Sequence, residues 1–200
     1  MLLEIHPITP QTRFMQRVLS ILEDDGVVVY PTDSGYSLGC NARSRKAIRR
    51  LYHLKRAMKR YLMALMARDY AALTDFVKVD NAAFRVLKRY TPGPYTFILP
   101  ATLQGRKQLE VNRPEIGVRI PDSIFSRALW QLHPGMILLT TAARLDEDDR
   151  FSNAQDIEAA FGHEVDLVVD LGEMPVNPTT IVSLVHGEPE VIREGQGNFP

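Results

Sequence analysis

The sequence predicts one α/β domain over residues 1–200, a mixed β-sheet with helices on its faces. Three observations carry that reading. Short apolar or β-branched runs alternate with segments whose apolar residues recur every three or four positions, the pattern of strands and covering helices. Near the C-terminus two apolar runs flank His186-Gly187-Glu188-Pro189, a turn-rich tetrapeptide, so at least one pair of strands must be antiparallel. The 200 residues hold no internal repeat, low-complexity tract or linker, and that length suits one large core.

Taken in order, residues 2–5 read as a short strand. Phe14, Val18, Leu19, Ile21 and Leu22 share helical spacing, and Gly26 can end that helix. The β-branched run at 27–30 is a buried strand, and residues 31–36 form a turn-rich segment. A second helix covers about 45–56, with Ile48, Leu51 and Leu54 inward and its basic residues outward. Residues 62–67 form a strand, and two shorter helices follow at about 71–77 and 82–90. Pro92-Gly93-Pro94 breaks the chain before strands at 95–99 and 117–120. Ser123 can cap a helix that runs to Leu132, because its hydroxyl can accept a free backbone amide. A strand at 137–141 precedes a helix capped by Ser152 or Asn153 and ended at Gly162. Strands at 165–171, 180–185 and 190–193 complete the chain.

Composition narrows the class. The chain is 45% hydrophobic and 24% charged with zero formal net charge, so the overall balance points to no partner. Its one cysteine, Cys40, excludes an intramolecular disulfide and fits a reducing compartment. The first residues lack a basic region followed by a long apolar run, and no stretch of about 18 apolar residues occurs, so the expectation is a cytoplasmic protein with no membrane partner. The distribution of charge says more. No acidic residue lies between Asp33 and Asp69, and that interval holds ten of the 24 Lys and Arg. Without acids at i,i+4 to neutralise it, such a block is an electrostatic pole.

Candidate chemistry is concentrated in three places. Thr32, Asp33 and Ser34 follow the buried strand at 27–30, and ligands of open α/β sheets bind beyond strand carboxyl ends. A plain Pro-Asp-Ser-Gly turn is the alternative there. Lys55, Arg56, Lys59 and Arg60 offer ammonium and guanidinium groups to phosphate, against a solvated helix face. Arg119 and Arg193 lie on apolar strands and could clamp a polyphosphate, or each could pair with a nearby carboxylate. The five histidines show no metal-ligand spacing, so no metal site is expected.

Several segments together resemble the YrdC/YciO family. They are Val29-Tyr30-Pro31-Thr32-Asp33-Ser34-Gly35-Tyr36 with Leu38-Gly39-Cys40, then Thr91-Pro92-Gly93-Pro94-Tyr95-Thr96, and Ile116-Gly117-Val118-Arg119-Ile120-Pro121. Pro178-Thr179-Thr180-Ile181-Val182 and Val191-Ile192-Arg193-Glu194-Gly195 complete an ordered set. Asp33-Ser34-Gly35-Tyr36 and Met66-Ala67-Arg68-Asp69 look most like the YciO branch. The resemblance implies a YrdC-like twisted, open, mixed sheet with a concave basic surface. It also implies double-stranded RNA binding or, in the enzymatic members, ATP-dependent joining of threonine and bicarbonate into threonylcarbamoyl-adenylate for tRNA modification.

Carried over residue by residue, Thr32, Arg119, Thr179 or Thr180, and Arg193 fit the family pattern. The Lys-x-Arg motif meets Lys55 and Ala57, a further lysine position meets Tyr61, and the Ser-x-Asn motif meets Ala142 and Arg144. Phosphate-binding residues are thus expected at Thr32, Ser34, Lys55, Arg56, Lys59, Arg60, Arg119, Thr179, Thr180 and Arg193. Three functions stand open. The first expectation is a binder of structured or double-stranded RNA. The alternative is a threonylcarbamoyl-adenylate synthase using ATP with Mg2+, slower than a motif-complete relative and acting toward tRNA. The third is a nucleotide sensor.

Overall fold

The computed structural model describes residues 1–55, 63–143 and 151–200. Ten strands among them form one twisted, open sheet: β1 (Leu2–Glu4), β2 (Val27–Thr32), β3 (Gly35–Asn41), β4 (Ala64–Met66), β5 (Tyr95–Pro100), β6 (Glu115–Arg119), β7 (Leu138–Ala142), β8 (Leu167–Asp170), β9 (Thr180–Ser183) and β10 (Glu190–Arg193). Their spatial order is β1-β8-β2-β3-β7-β4-β6-β5-β9-β10. Parallel pairs (β1–β8, β2–β8, β4–β6, β5–β9) and antiparallel pairs (β2–β3, β3–β7, β4–β7, β5–β6, β9–β10) are interspersed through it, the mixed sheet the sequence predicts.

Six helices among the described residues cover the sheet: α1 (Thr12–Glu23), α2 (Arg45–Leu54), α3 (Asn81–Tyr90), α4 (Leu103–Leu109), α5 (Ile124–Leu132) and α6 (Ala154–Phe161). On one face Val29, Leu38, Cys40, Phe97 and Val118 pack with Ile48 and Leu51 of α2, Leu87 of α3, Leu109 of α4 and Ile157 of α6. On the other, Val28, Tyr30, Met66 and Leu138 pack with Met15, Val18 and Leu22 of α1 and Phe125 and Leu129 of α5. The helix starts are chemically encoded: Ser44, Asp80, Thr102, Ser123 and Asn153 each accept a backbone amide of the first turn.

Several expectations change. Residues 31–36 are not a free turn, because β2 and β3 pair as far as Thr32↔Gly35 and leave only Asp33 and Ser34 at the tip. Gly35, with φ 104, supplies the left-handed backbone this tip requires. Strand β3 itself goes beyond the sequence-based expectation, although Tyr36, Leu38 and Cys40 alternate inward. Helix α4 does too, since Gly105 weakens its pattern. That glycine is required by packing: a Cβ there would stand 2.3 Å from the carbonyl oxygen of Phe76. The helix expected at 71–77 contracts to a single 3-10 turn, Tyr70–Leu73. Finally, α1 ends through Asp25, which takes the left-handed backbone at φ 63, rather than through Gly26.

Tyr30 shows how the second face is fixed. Its ring stacks on Phe125 at 4.9 Å between centroids, and its hydroxyl donates to Thr140 Oγ1 at 2.8 Å. Burial pushes the phenol well above its ordinary value. Gly39 lies beneath it, where a Cβ would be 2.5 Å from the tyrosine oxygen. Burying so large a ring contributes on the order of 2–3 kcal/mol, and the satisfied hydroxyl removes the penalty of hiding a polar group.

Candidate functional site

On the second face, helices α1 and α5 pack against β1, β8, β2 and the Met66 and Leu138 end of β4 and β7. No helix among the described residues covers the rest of the second face. Beyond them the same face continues through β6, β5 and β9, where Gly117, Thr96 and Arg119 alternate with the apolar Ile98 and Ile181. Register places Ala64 beside both Thr140 and Gly117, and Gly117 beside Ile98. Thr96, two residues before Ile98, shares this face, and it is half-buried while its neighbours Tyr95 and Phe97 are buried in the opposite core.

Arg119 ends β6 on this face and is 7% exposed. Its Nη2 donates to Asp33 Oδ1 at 2.5 Å and to Ser34 Oγ at 3.0 Å. The sheet must curl to make that contact. Asn41, Leu138, Met66 and Arg119 stand in one row by register, whereas Asp33 lies at the far tip of the β2–β3 hairpin. In a flat sheet the tip would be more than ~20 Å from Arg119. The long hairpin bends over the face instead, and Asp33 Oδ2 also accepts the backbone amide of Asp122 at 3.2 Å. Thr32 holds the tip: its hydroxyl donates to the Gly35 carbonyl at 2.7 Å and accepts the Ser34 amide at 3.2 Å. Arg119 Nε is closed off from solvent and has no hydrogen-bond partner among the described residues. An unsatisfied buried donor costs roughly 1–3 kcal/mol, and Arg106 Nε and His133 Nδ1 are buried without a partner in the same way.

The row continues past Arg119. Thr96 Oγ1 lies 2.9 Å from Thr179 Oγ1, and Arg193 Nη2 donates to the Thr179 carbonyl at 2.7 Å. Of the two candidate threonines, Thr179 therefore joins the row. Thr180 does not, because its hydroxyl donates to the Gly197 carbonyl in the C-terminal segment at 2.5 Å. Thr96 is the residue of this row that sequence reasoning leaves out. Its signal lies in the Pro-Gly-Pro-Tyr-Thr segment, but only strand register reveals that it flanks Arg119.

Lys55 follows α2 and is buried, 6% exposed, with Nζ donating to the Ala142 carbonyl at 2.8 Å. It faces the end of β7 rather than the solvated helix face. Arg56, Lys59 and Arg60, and with them Ala57, Tyr61 and Arg144, lie outside the described residues.

Five described bases of the basic block have carboxylate partners that the local sequence does not suggest. Arg43 pairs with Asp75 at 3.0 Å, Lys46 with Asp25 at 3.4 Å, Arg49 with Glu110 at 2.6 Å, Arg50 with Asp166 at 2.9 Å and Arg68 with Asp69 at 2.9 Å. The partners of α2 come from other elements, and two of them, Asp25 and Glu110, are the described non-glycine residues with positive φ. The Ser44 hydroxyl and Lys46 hold the Asp25 carboxyl below its usual range, and Arg49 does the same for Glu110. A groove of about 840 Å³ runs over this face, lined by Arg45, Lys46, Arg49 and Arg50 together with Glu164. Both signs of charge surround it. Cys40 is buried in the first core, where desolvation pushes its thiol up to about 12, so it is a packing residue rather than a nucleophile.

Comparison with known proteins gives a consistent result. Residues 20–195 match the Sua5_yciO_yrdC family, described as "Telomere recombination". The chain is 36% identical over 195 residues to the protein YciO of Escherichia coli (strain K12), covering 97% of this chain and 95% of that one. The crystal structure of E. coli YciO matches with a TM-score of 0.89 over 99% of this chain and 97% of that chain. A threonylcarbamoyl-AMP synthase of Chromobacterium violaceum is 32% identical over 182 residues, covering 90% of this chain and 94% of that protein. The crystal structure of P. abyssi Sua5 complexed with L-threonine shares the fold, with a TM-score of 0.85 at 20% identity over 98% of this chain and 57% of that chain.

Proposed function

The chain belongs to the Sua5_yciO_yrdC family, and from that premise we propose that it is an ATP-dependent enzyme of the threonylcarbamoyl-AMP synthase type, working on the part of the second sheet face that no described helix covers. The observation that carries the reading is the row Ser34–Asp33–Arg119 and Thr96–Thr179–Arg193. It sets two guanidinium groups and several hydroxyls along one face of the sheet and leaves a buried donor without a partner among the described residues. In this chemistry threonine and bicarbonate condense to a carbamate with loss of water. A carbamate oxygen then forms a bond to the α-phosphorus of ATP as the bond to pyrophosphate breaks. Preorganised cations suit the developing charge, and Lys55 at the end of β7 and Arg193 are the residues assigned to it. On this reading Mg2+ is carried on the phosphate oxygens of ATP.

The duplex-RNA reading is weakened on α2, where Lys46, Arg49 and Arg50 have carboxylates from other elements within pairing distance, while Arg56, Lys59 and Arg60, on which it also rests, lie outside the described residues. The replaced family positions bear on rate. Ala142 is exposed at the end of β7 and offers no side-chain donor where the family motif has a serine. One donor aimed at developing charge contributes about 3 kcal/mol, or roughly a hundredfold in rate. Pyrophosphate release from ATP is the test. The expected result is slow release that requires both L-threonine and bicarbonate, raised about a hundredfold by Ala142→Ser. No release from either protein would overturn the reading.

A further inference from the structure

We propose that Phe199 is a positioning residue: it pins the segment 195–199 against the first face of the sheet and so fixes Thr96, Thr179 and Arg193 on the second. The proposal rests on the reading above in placing ATP along that row. Phe199 is half-buried and packs on the first core. Its ring centroid lies 4.6 Å from that of Tyr90 and 6.5 Å from that of Tyr95. Three hydrogen bonds run along the same segment. The Gln196 amide donates to the Pro178 carbonyl at 2.8 Å, the Thr180 hydroxyl to the Gly197 carbonyl at 2.5 Å and the Tyr95 hydroxyl to the Asn198 carbonyl at 2.9 Å. The approach is close enough to require glycine: a Cβ at Gly195 would stand 2.4 Å from the Pro178 carbonyl oxygen, and one at Gly197 would stand 2.4 Å from the Tyr95 ring.

The partners of this segment are the chain neighbours of the row. Tyr95 precedes Thr96, Thr180 follows Thr179, and Gly195 comes two residues after Arg193. Side chains alternate between the faces of a sheet. Tyr95 is buried in the first core, and Thr180 shares its side through the register of β5 with β9. Thr96 and Thr179 point to the second face, with their hydroxyl oxygens 2.9 Å apart. Holding Tyr95 and Thr180 from behind therefore sets the separation of the two threonines. The turn back at Gly195 likewise sets where the Arg193 guanidinium reaches the Thr179 carbonyl. Strand β10 supplies little of this rigidity, because its four residues are all exposed and its register with β9 shifts between Val191 and Arg193. An edge with so few buried contacts opens locally unless something else holds it.

Hydrogen exchange and ATP titration test the proposal together. Phe199→Ala removes the anchor, Tyr95→Phe keeps its ring and removes only the hydroxyl that holds Asn198, and Phe199→Tyr keeps the anchor. The reporter is the Thr180 amide, which donates to the Pro94 carbonyl at 3.1 Å. In the first two variants its exchange is expected to rise about tenfold while the amides of β2 keep their wild-type rates, since a local opening costs less than global unfolding. The same two variants are expected to bind ATP about five- to tenfold more weakly, the scale of one displaced hydrogen bond. Phe199→Tyr should match the wild type in both measurements. Unchanged Thr180 exchange would overturn the proposal, as would a rise shared equally by β2, which would make Phe199 a general scaffold residue. Faster Thr180 exchange with unaltered ATP affinity would overturn it too. A wild type that binds no ATP would overturn both this proposal and the reading above. ATP affinities in the expected order, with no pyrophosphate released in the presence of L-threonine and bicarbonate, would support the role of Phe199 and remove the synthase reading alone.

Discussion

The outer face of α2 and the buried end of β6 are both built from arginine–carboxylate pairs, yet they do different work. On α2 the charges remain in water: Arg50 and Asp166 are 38% and 37% exposed. At β6, Arg119 and Asp33 are 8% and 10% exposed, and the guanidinium still has an idle donor among the described residues. Solvent screens the first set, so its members neutralise one another at little gain or cost and tie α2 to the loops around it. The second set has given up hydration that its mutual attraction repays only through close geometry, and it persists where a ligand could use it. Density of charge along the sequence thus does not say which bases stand unpaired in water, and the pair withdrawn from water, Arg119 with Asp33, lies outside the dense block.

The largest expected effect separates the two regions directly. Arg119→Ala should strand the Asp33 carboxylate in a nearly closed site and lower unfolding free energy by about 3–5 kcal/mol. Urea unfolding of the variant against the wild type measures it. From sequence, Arg119 is expected to be a ligand residue with little role in folding, and an unchanged midpoint would restore that view and dissolve the contrast with α2.

A smaller effect belongs to Arg50→Gln. Its pair with Asp166 is about one-third exposed, and the Asp166 carboxylate also accepts the Val27 amide at 2.7 Å, which survives the change. The expected loss is at most about 1 kcal/mol, shrinking further in 1 M NaCl, where the screening length falls to about 3 Å. The loss from Arg119→Ala should persist in the same salt. If salt reduced both losses equally, burial would not be what distinguishes the pairs.

The smallest effect sharpens the comparison from the binding side. Changing Lys46 and Arg49 together to Gln should leave the salt dependence of duplex RNA binding almost unaltered, because both already have carboxylate partners. Free cations contacting duplex phosphates would each contribute about one unit of slope. A drop of about two units in the logarithmic plot would show that α2 does meet nucleic acid.

Much of this protein follows from the sequence alone, for a local reason. Helix caps, apolar periodicity and β-branched runs act within a few residues, so Ser123, and Ser152 or Asn153, mark the starts of their helices, and residues 27–30 mark β2, by local chemistry alone, the structure deciding for Asn153. The C-terminal hairpin and the mixed character of the sheet follow from the same local signals. Strand β3 is legible in the alternation of Tyr36, Leu38 and Cys40, but glycine, serine and asparagine between and beside them disguise it as loop. The candidate site is half legible: Thr32, Ser34, Arg119, Thr179 and Arg193 can be named from sequence, while Thr96 and the partner of Arg119 cannot. Tertiary structure alone decided which charges meet. The partners of Arg43, Arg49 and Arg50 lie 32, 61 and 116 residues away in sequence, and Asp33 lies 86 from Arg119. Coulomb energy depends on distance and dielectric, and both are set by how the chain folds rather than by how it is written.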